Sequence, residues 1–295
     1  MLVPVNSQRT SQADDDLHLI SLWLQGKSPH SQEAYSRDLT QFVDFIDLPL
    51  SDIKIQHFWD WMDHLKEKGA LPATQARKLA AVKSLFSFAY RIGYLRFNVG
   101  GAITLPNIPE KLSERILSED DITKIFAQAS TLRNRVLLKL FYASGARVSE
   151  LTNLYWGAVI PRNKNKQGQV TLLGKGNKTR TLLLPEKVWT ELMELKSEAT
   201  TAEFNLPVFQ SRKGGPLSRQ QIWRIVRDAA KSAGFSQNIS PHWLRHAHAS
   251  HALDHGAPVH LVKETLGHQS LTTTSKYAHA RPDESSSKYL KIEVL

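Results

Sequence analysis

The chain has 295 residues, no cysteine and a formal net charge of +10. That length suits roughly two domains of ~100–200 residues, and 41% hydrophobic residues are enough for packed cores, which sets intrinsic disorder aside. The missing thiols exclude disulfides, thiol catalysis and thiolate metal sites, and they fit a reducing cytosol.

Residues 1–15 are polar and read as a frayed end. They hold ADDDL where a signal peptide would carry its apolar centre, and no later apolar run is long enough to span a membrane, so neither secretion nor a membrane is expected. From Ser28, apolar residues recur at spacings of three and four (Tyr35, Leu39, Phe42, Val43, Ile46), which predicts an amphipathic helix. In PLSDIKIQHFWDWMDHLKEKG, Ser51 offers a helix start and Gly69 a stop. PATQARKLAAVKSLFSFAYRIG follows the same logic: Ala76, Leu79, Val82, Leu85, Phe86 and Ala89 form a stripe that ends at Gly93. Arg77, Lys78, Lys83 and Arg91 occupy the opposite face. Charge changes sign along this stretch. Residues 1–63 carry 4 Lys and Arg against 10 Asp and Glu, and residues 64–97 carry 7 against 1. Residues 16–99 thus read as a small helical bundle with one basic helix surface.

NVGGAITLPNIPEK (98–111) has two glycines, two prolines and little periodicity, which marks residues 100–115 as a linker. LSEDDITKIFAQA opens a new helix, with Ser118 and Asp121 spaced as a capping box. RNRVLLKLFYASG is an apolar helix closed by Gly145. QVTLLGKGNKTRTLLLP is two strand-like runs around a glycine-rich turn, a β-hairpin. LSRQQIWRIVRDAAKSAG starts at a Ser218–Gln221 capping pair and exposes Arg219, Arg224, Arg227 and Lys231. Two further helices end at Gly256 and Gly267. Residues 111–295 hold 27 Lys and Arg against 16 Asp and Glu, so the basic excess lies in a folded domain. Such a domain faces either plain solvent or a polyanion, of which nucleic acid is the commonest.

Five histidines crowd into SPHWLRHAHASHALDHG (240–256) around Arg245. His251 and His255 have the i,i+4 spacing of helical zinc ligands. The glutamate of an H-E-x-x-H pair is absent, however, and no cysteine can complete a structural site, so no metal is expected. His242 and Arg245 differ. With Ser240 as cap and a helix beginning at Pro241, they lie i,i+3 on its first turn, where a proton-transfer group and a bidentate cation suit a phosphate. In ASGARVSEL (143–151), Arg147 sits at a tight junction after Gly145, and Glu150 is placed to clamp its guanidinium, as a plain structural ion pair would be. GKGNKTR (174–180) puts Lys175 in the hairpin turn. It is not a P-loop, since Asn177 precedes Lys178. LGHQSLTTTSKYAH (266–279) holds His268 and Tyr277. A tyrosine is a weak nucleophile at neutral pH and becomes useful when cations stabilise the charge building on a phosphate it attacks.

Each motif alone has a bland structural explanation. Taken in order, SGARVSEL, GKGNKTR, SPHWLRH and LGHQSLTTTSKYAH resemble the tyrosine recombinase, or phage integrase, family. Gly69 to Lys83 likewise resembles the family's core-binding domain. The resemblance covers about residues 16–280. It implies a mainly α chain of two domains: a SAM-like core-binding bundle over 16–99, and an α-rich catalytic domain with a small antiparallel β-sheet over 116–280. It further implies that Tyr277 attacks a DNA phosphate to give a 3′-phosphotyrosyl link, and that Arg147 and Arg245 hold the non-bridging oxygens. Lys175 would protonate the departing 5′-oxygen, His242 would help deprotonate the nucleophile, and His268 would hydrogen-bond the phosphate. Glu150 would orient Arg147 or His242. With the cations in place of a Mg²⁺, no metal, cofactor or ATP is expected.

The implied partner is double-stranded DNA, clamped between the two domains and contacted by residues 64–97 and 217–231. The implied assembly is a homotetramer on synapsed sites, or a hetero-tetramer with a second recombinase, with DNA-bending accessory proteins as further partners. The expected location is cytoplasmic, at the nucleoid. RHAHAS departs from the family's usual RH-T/S-F-A-T, Asn98-Val99 stands where Asn-Pro is common, and the tail differs from Xer tails. With no added arm-binding domain in view, these departures favour a simple recombinase of a plasmid or mobile element, with Xer close behind. Residues 281–295 are expected to dock on a neighbouring protomer. The competing expectations are a type IB topoisomerase, a DNA-binding regulator that has lost strand exchange, and Tyr289 as the nucleophile in place of Tyr277.

Overall fold

The structure is a computed structural model that describes residues 12–106, 115–163, 167–198, 203–268, 270, 273–274 and 277. It divides into two compact units, Met1–Glu110 and Lys111–Leu295.

The first unit is four helices: α1 (Asp16–Gln25), α2 (Pro29–Ile46), α3 (Ile55–Glu67) and α4 (Pro72–Arg91). α2 and α4 begin at Pro29 and Pro72, whose fixed φ suits a first helical position and whose missing N–H costs nothing there. The expected stripe of α4 is the buried one, with Leu79, Val82, Leu85, Phe86 and Ala89 fully enclosed. Phe86 meets Phe58 with ring centroids 5.1 Å apart, and Trp61 stands edge-on to Phe42 at 4.9 Å, so α2, α3 and α4 share one aromatic core.

Two boundaries differ from the sequence reading. α3 does not start at Ser51. Leu50–Asp52 form a short 3₁₀ turn, and Lys54 precedes the helix, its N–H donating to His57 Nδ1 at 3.1 Å. The 3₁₀ turn is anchored instead from α1: Asp16 accepts from the Leu50 N–H at 2.9 Å and from the Tyr94 hydroxyl at 2.7 Å. The core also takes in Ala13 and Ile103, on either side of the 16–99 span. Ile103 follows a 3₁₀ turn, Val99–Ala102, that lies flat on α4. A Cβ at Gly100 would stand 3.0 Å from Phe86 Cβ and 3.2 Å from Lys83 Cα, so a larger residue would push the turn off α4 by a few tenths of an ångström.

The second unit contains α5 (Glu119–Ala127), α6 (Leu132–Ser144), α7 (Val148–Thr152), β1 (Val159–Arg162), β2 (Gln167–Leu173), β3 (Thr179–Leu184), α8 (Glu186–Glu198), α9 (Arg219–Ser232), α10 (Pro241–Asp254) and α11 (Val259–Leu266). The Ser118–Asp121 and Ser218–Gln221 capping boxes form as expected. Beyond its charged first turn α6 is mostly apolar and is the central helix, with Leu137, Leu138, Leu140 and Phe141 wholly buried and the helix packed against α8 and α10. The hairpin β2–β3 gains a third antiparallel strand, β1, in the order β1-β2-β3. α8 covers this sheet, with the Trp189 ring over Gly168. The site elements, α7, β3, α10 and α11, surround one end of α6.

Candidate active site

Gly145 ends α6 in the left-handed region at φ +56° and turns the chain into α7. Glu150 on α7 is buried, and its carboxylate accepts four hydrogen bonds. They come from the Arg147 backbone N–H at 2.7 Å, Arg147 Nη1 at 3.0 Å, and Arg180 Nη1 and Nη2 at 2.6 and 2.7 Å. Burial alone would raise its pKa. The bonds from Arg180 and Arg147 outweigh burial and hold it below the ordinary carboxylate value.

Three guanidiniums converge from three elements: Arg147 from the α6–α7 junction, Arg180 from β3 and Arg245 from α10. The last carbonyls of α11 receive all three. Arg180 Nε donates to Thr265 O at 2.7 Å, Arg245 Nη2 to Leu266 O at 2.7 Å, and Arg147 Nη2 to Gly267 O at 3.1 Å. Arg245 also donates from Nη1 to Gly145 O. A helix C-terminus leaves its carbonyls without intrahelical partners and carries partial negative charge, so it is a natural seat for cations. Among the described residues, one carboxylate faces these three arginines, which leaves surplus positive charge in a buried place. Burial and the neighbouring Arg147 and Arg180 push Arg245 down to about 10, the signature of a cation short of counter-charge.

The backbone of Lys175 lies in the β2–β3 turn. The preceding residue, Gly174, passes so close to the cluster that a Cβ there would stand 3.2 Å from Glu150 Oε1. Tyr277 is 5% exposed, and its hydroxyl shares a 2.7 Å hydrogen bond with His246 Nδ1. Its pKa is raised by burial against the lowering influence of Arg245. The His268 ring lies nearly parallel to the phenol, 6.5 Å between centroids, with Nδ1 in a 2.9 Å hydrogen bond with Thr274 Oγ1. His268 is driven to about 4 by burial and then by Arg245, Arg147 and Arg180. His242 is lowered by desolvation and by Arg245, Arg147 and Arg219. α10 does begin at Pro241, but the Ser240 side chain makes no cap hydrogen bond.

Of the residues singled out by sequence, Arg147, Glu150, His242, Arg245, His268 and Tyr277 therefore surround one charged site. Sequence reading passed over Arg180 and His246. Arg180 carried a signal: on β3 it shares the inward parity of Leu182 and Leu184, where a charge needs a partner. The other histidines of the 240–256 stretch are engaged separately. His248 Nδ1 is 2.7 Å from Tyr142 O, His251 Nδ1 is 2.9 Å from the Tyr142 hydroxyl, and His255 pairs with Glu119 at 3.2 Å. Among the described residues, no three metal-ligating side chains gather.

The basic faces sort into two kinds. Arg77 is not free. Its guanidinium grips the buried Asp38 with both Nη atoms, tying α4 to α2, and Lys78 reaches Gln41 on α2. Lys83 is half-buried beneath the Gly100 turn and Arg91 is exposed. On α9, Arg219, Trp223, Arg224 and Arg227 line an open groove, with Arg227 stacked on Trp223 at 5.2 Å and paired with Asp228, and Lys231 exposed nearby.

The chain matches the phage integrase family over residues 115–284 and the N-terminal SAM-like domain of phage integrases over residues 16–93, and it belongs to that family. It is 33% identical to tyrosine recombinase XerD of Pseudomonas aeruginosa, over 90% of this chain and 91% of the relative. Its fold is that of a lambda integrase tetramer bound to a Holliday junction (TM-score 0.73, 18% identity, covering 97% of this chain and 82% of that one). It is also that of the XerH site-specific recombinase bound to palindromic difH substrate in a post-cleavage complex (TM-score 0.71, 22% identity, covering 91% and 82%).

Proposed function

We propose that this protein is a conservative site-specific DNA recombinase that cuts and rejoins duplex DNA through Tyr277. The observation that carries the reading is the surplus positive charge of Arg147, Arg180 and Arg245 beside a buried tyrosine. A backbone phosphate supplies the missing negative charge. Arg147 and Arg245 hold its non-bridging oxygens, stabilising the charge that builds in the pentacoordinate transition state. Glu150 orients Arg147 and, by neutralising part of the cluster, lets the cations pack together. His268 donates to the phosphate, and His242 helps the nucleophile lose its proton. Lys175 protonates the departing 5′-oxygen from the turn beside Gly174. The covalent link conserves the bond energy, so rejoining needs no ATP.

The exposed cations of α9 and the basic face of α4, Arg77 excepted, are assigned to DNA contact. Strand exchange between two sites calls for four protomers, supported by the lambda integrase tetramer on a Holliday junction. The XerD relative favours a Xer-type role, the resolution of chromosome or plasmid dimers, over the mobile-element role the sequence departures suggested. Such a role admits a second recombinase in a hetero-tetramer and accessory DNA-bending proteins, and it places the protein at the nucleoid in the cytoplasm. No helix of the described residues is long and apolar enough to cross a membrane. Residues 281–295 and Tyr289 lie outside the described residues. The docking role proposed for that tail is tested by its deletion, which should impair synapsis and spare single-site binding.

The decisive experiment is trapping on a nicked suicide DNA substrate. Wild type becomes covalently attached, while Tyr277→Phe binds the same DNA and does not attach. Attachment by Tyr277→Phe would move the nucleophile elsewhere, and no attachment by wild type would leave only a DNA-binding regulator. Relaxation of supercoiled DNA lacking a paired site would favour the type IB topoisomerase reading.

A further inference from the structure

The Tyr277 hydroxyl is met by a residue to which the recombinase reading gives no role. His246 follows Arg245 on α10, one turn on from His242. Its Nδ1 lies 2.7 Å from Tyr277 Oη, with ring centroids 5.6 Å apart. The His242 ring lies 6.5 Å between centroids from that of His246. Resting on the recombinase reading, but taking over the proton transfer that it gave to His242, we propose that His246 is a further catalytic residue, the group that takes the proton from the Tyr277 hydroxyl during cleavage and returns it during rejoining.

The charge around the ring supports an acceptor. His246 faces His242 and Arg245 from α10, Arg115 from the segment before α5, and His268 and Tyr277 from beyond α11. Burial, and then His242, Arg245 and Arg115, keep the imidazole neutral down to about pH 4 in the free protein. In the Nε2–H tautomer of the neutral ring, the one the proposal requires, Nδ1 carries a lone pair and the phenol donates to it. A protonated ring would have to donate instead, and could not receive the proton.

Arrival of a DNA phosphate at the arginines offsets the cations that depress His246, so its basicity rises when substrate is in place. As the Oη–phosphorus bond forms, the Oη–H bond breaks and the proton passes to Nδ1. The bond from phosphorus to the 5′-oxygen breaks, and that oxygen takes its proton from Lys175. Rejoining runs the same steps backwards.

The test compares single-turnover cleavage by wild type, His246→Asn and Lys175→Ala. Two nicked substrates are used, one with an ordinary scissile phosphate and one with sulfur in place of the bridging 5′-oxygen. A thiolate leaves without being protonated, so the sulfur substrate relieves a missing acid and not a missing base. His246→Asn should retain DNA affinity and cleave the ordinary substrate about 100-fold slower or worse. The sulfur substrate should restore Lys175→Ala and leave the His246→Asn defect in place. Wild-type rates in His246→Asn, or a defect that sulfur relieves, overturn the proposal. If both His246→Asn and His246→Gln lose DNA affinity along with cleavage, His246 belongs to the fold and the proposal fails. A wild type that never attaches to DNA sinks the recombinase reading itself.

Discussion

At the scale of single residues, Glu150 organises the site. A buried carboxylate with two guanidiniums and a backbone N–H on it cannot be removed without stranding charge. Glu150→Gln should cost about 3 kcal/mol of stability in urea unfolding and slow covalent cleavage. The pH dependence has a definite sign. The folded pKa of Glu150 lies below its unfolded value, so its contribution is full above the unfolded value of 4.5 and fades as pH falls through the folded one. The stability gap between wild type and Glu150→Gln should therefore close in acid. Arg77 illustrates a residue whose partner the sequence hides. Its helical face is the basic one, yet the buried Asp38 thirty-nine positions away claims it. Arg77→Ala should lower stability by about 2 kcal/mol, less than a fully enclosed pair because the guanidinium is half-exposed.

At the scale of elements, the C-terminus of α11 does what no side chain there does: three successive carbonyls seat three arginines. Two glycines permit this. Gly267 sits at φ +63°, and a Cβ there would stand 3.3 Å from Arg180 Nη1. Gly145 sits at φ +56°, and its Cβ would stand 2.5 Å from Leu266 Cδ2 and 2.9 Å from His248 Cδ2, so one of these side chains would have to shift. Gly145→Ala should cost about 2 kcal/mol or more, the left-handed penalty plus the clash. It should also slow cleavage with little change in DNA affinity, because it displaces the carbonyl that holds Arg245. Period and caps made most elements legible: the stripe of α4, the apolar α6, the capping boxes at Ser118 and Ser218, and the hairpin. The start of α3 was not, because Ser51 has the right chemistry for a cap but its turn is held by Asp16 of α1. β1 was not legible either. VIPR is four residues long and becomes a strand only by pairing with β2.

At the scale of the molecule, each unit has its own core, and the charge proposed to contact DNA lies on α4 in one unit and α9 in the other. Counterion release makes affinity for DNA fall with salt, by a slope of about 0.9 per phosphate contact. Arg219→Ala and Arg224→Ala should each flatten that slope by about one contact, whereas Arg77→Ala should destabilise the protein and leave the slope unchanged. The buried histidines set a second global property. His246, His248 and His268 are each held near 4. Between the unfolded value of 6.5 and about 4, the unfolded chain binds more protons than the folded one. Stability should then drop as pH is lowered through that window, and bound DNA should lessen the drop.

The amino-acid sequence by itself determined the class of chemistry. The types and order of Arg147, Lys175, His242, Arg245, His268 and Tyr277, in motifs that resemble those of one family, are properties that a linear reading captures. Only the tertiary structure decided which charges are free and which are paired, since a partner such as Asp38 for Arg77, or Glu150 for Arg180, is chosen by proximity in space. It also decided that the phenol rests on His246 and not His242. Those two histidines lie on one helix four residues apart, and nothing in their chemistry distinguishes them until the chain brings Tyr277 beside one of them.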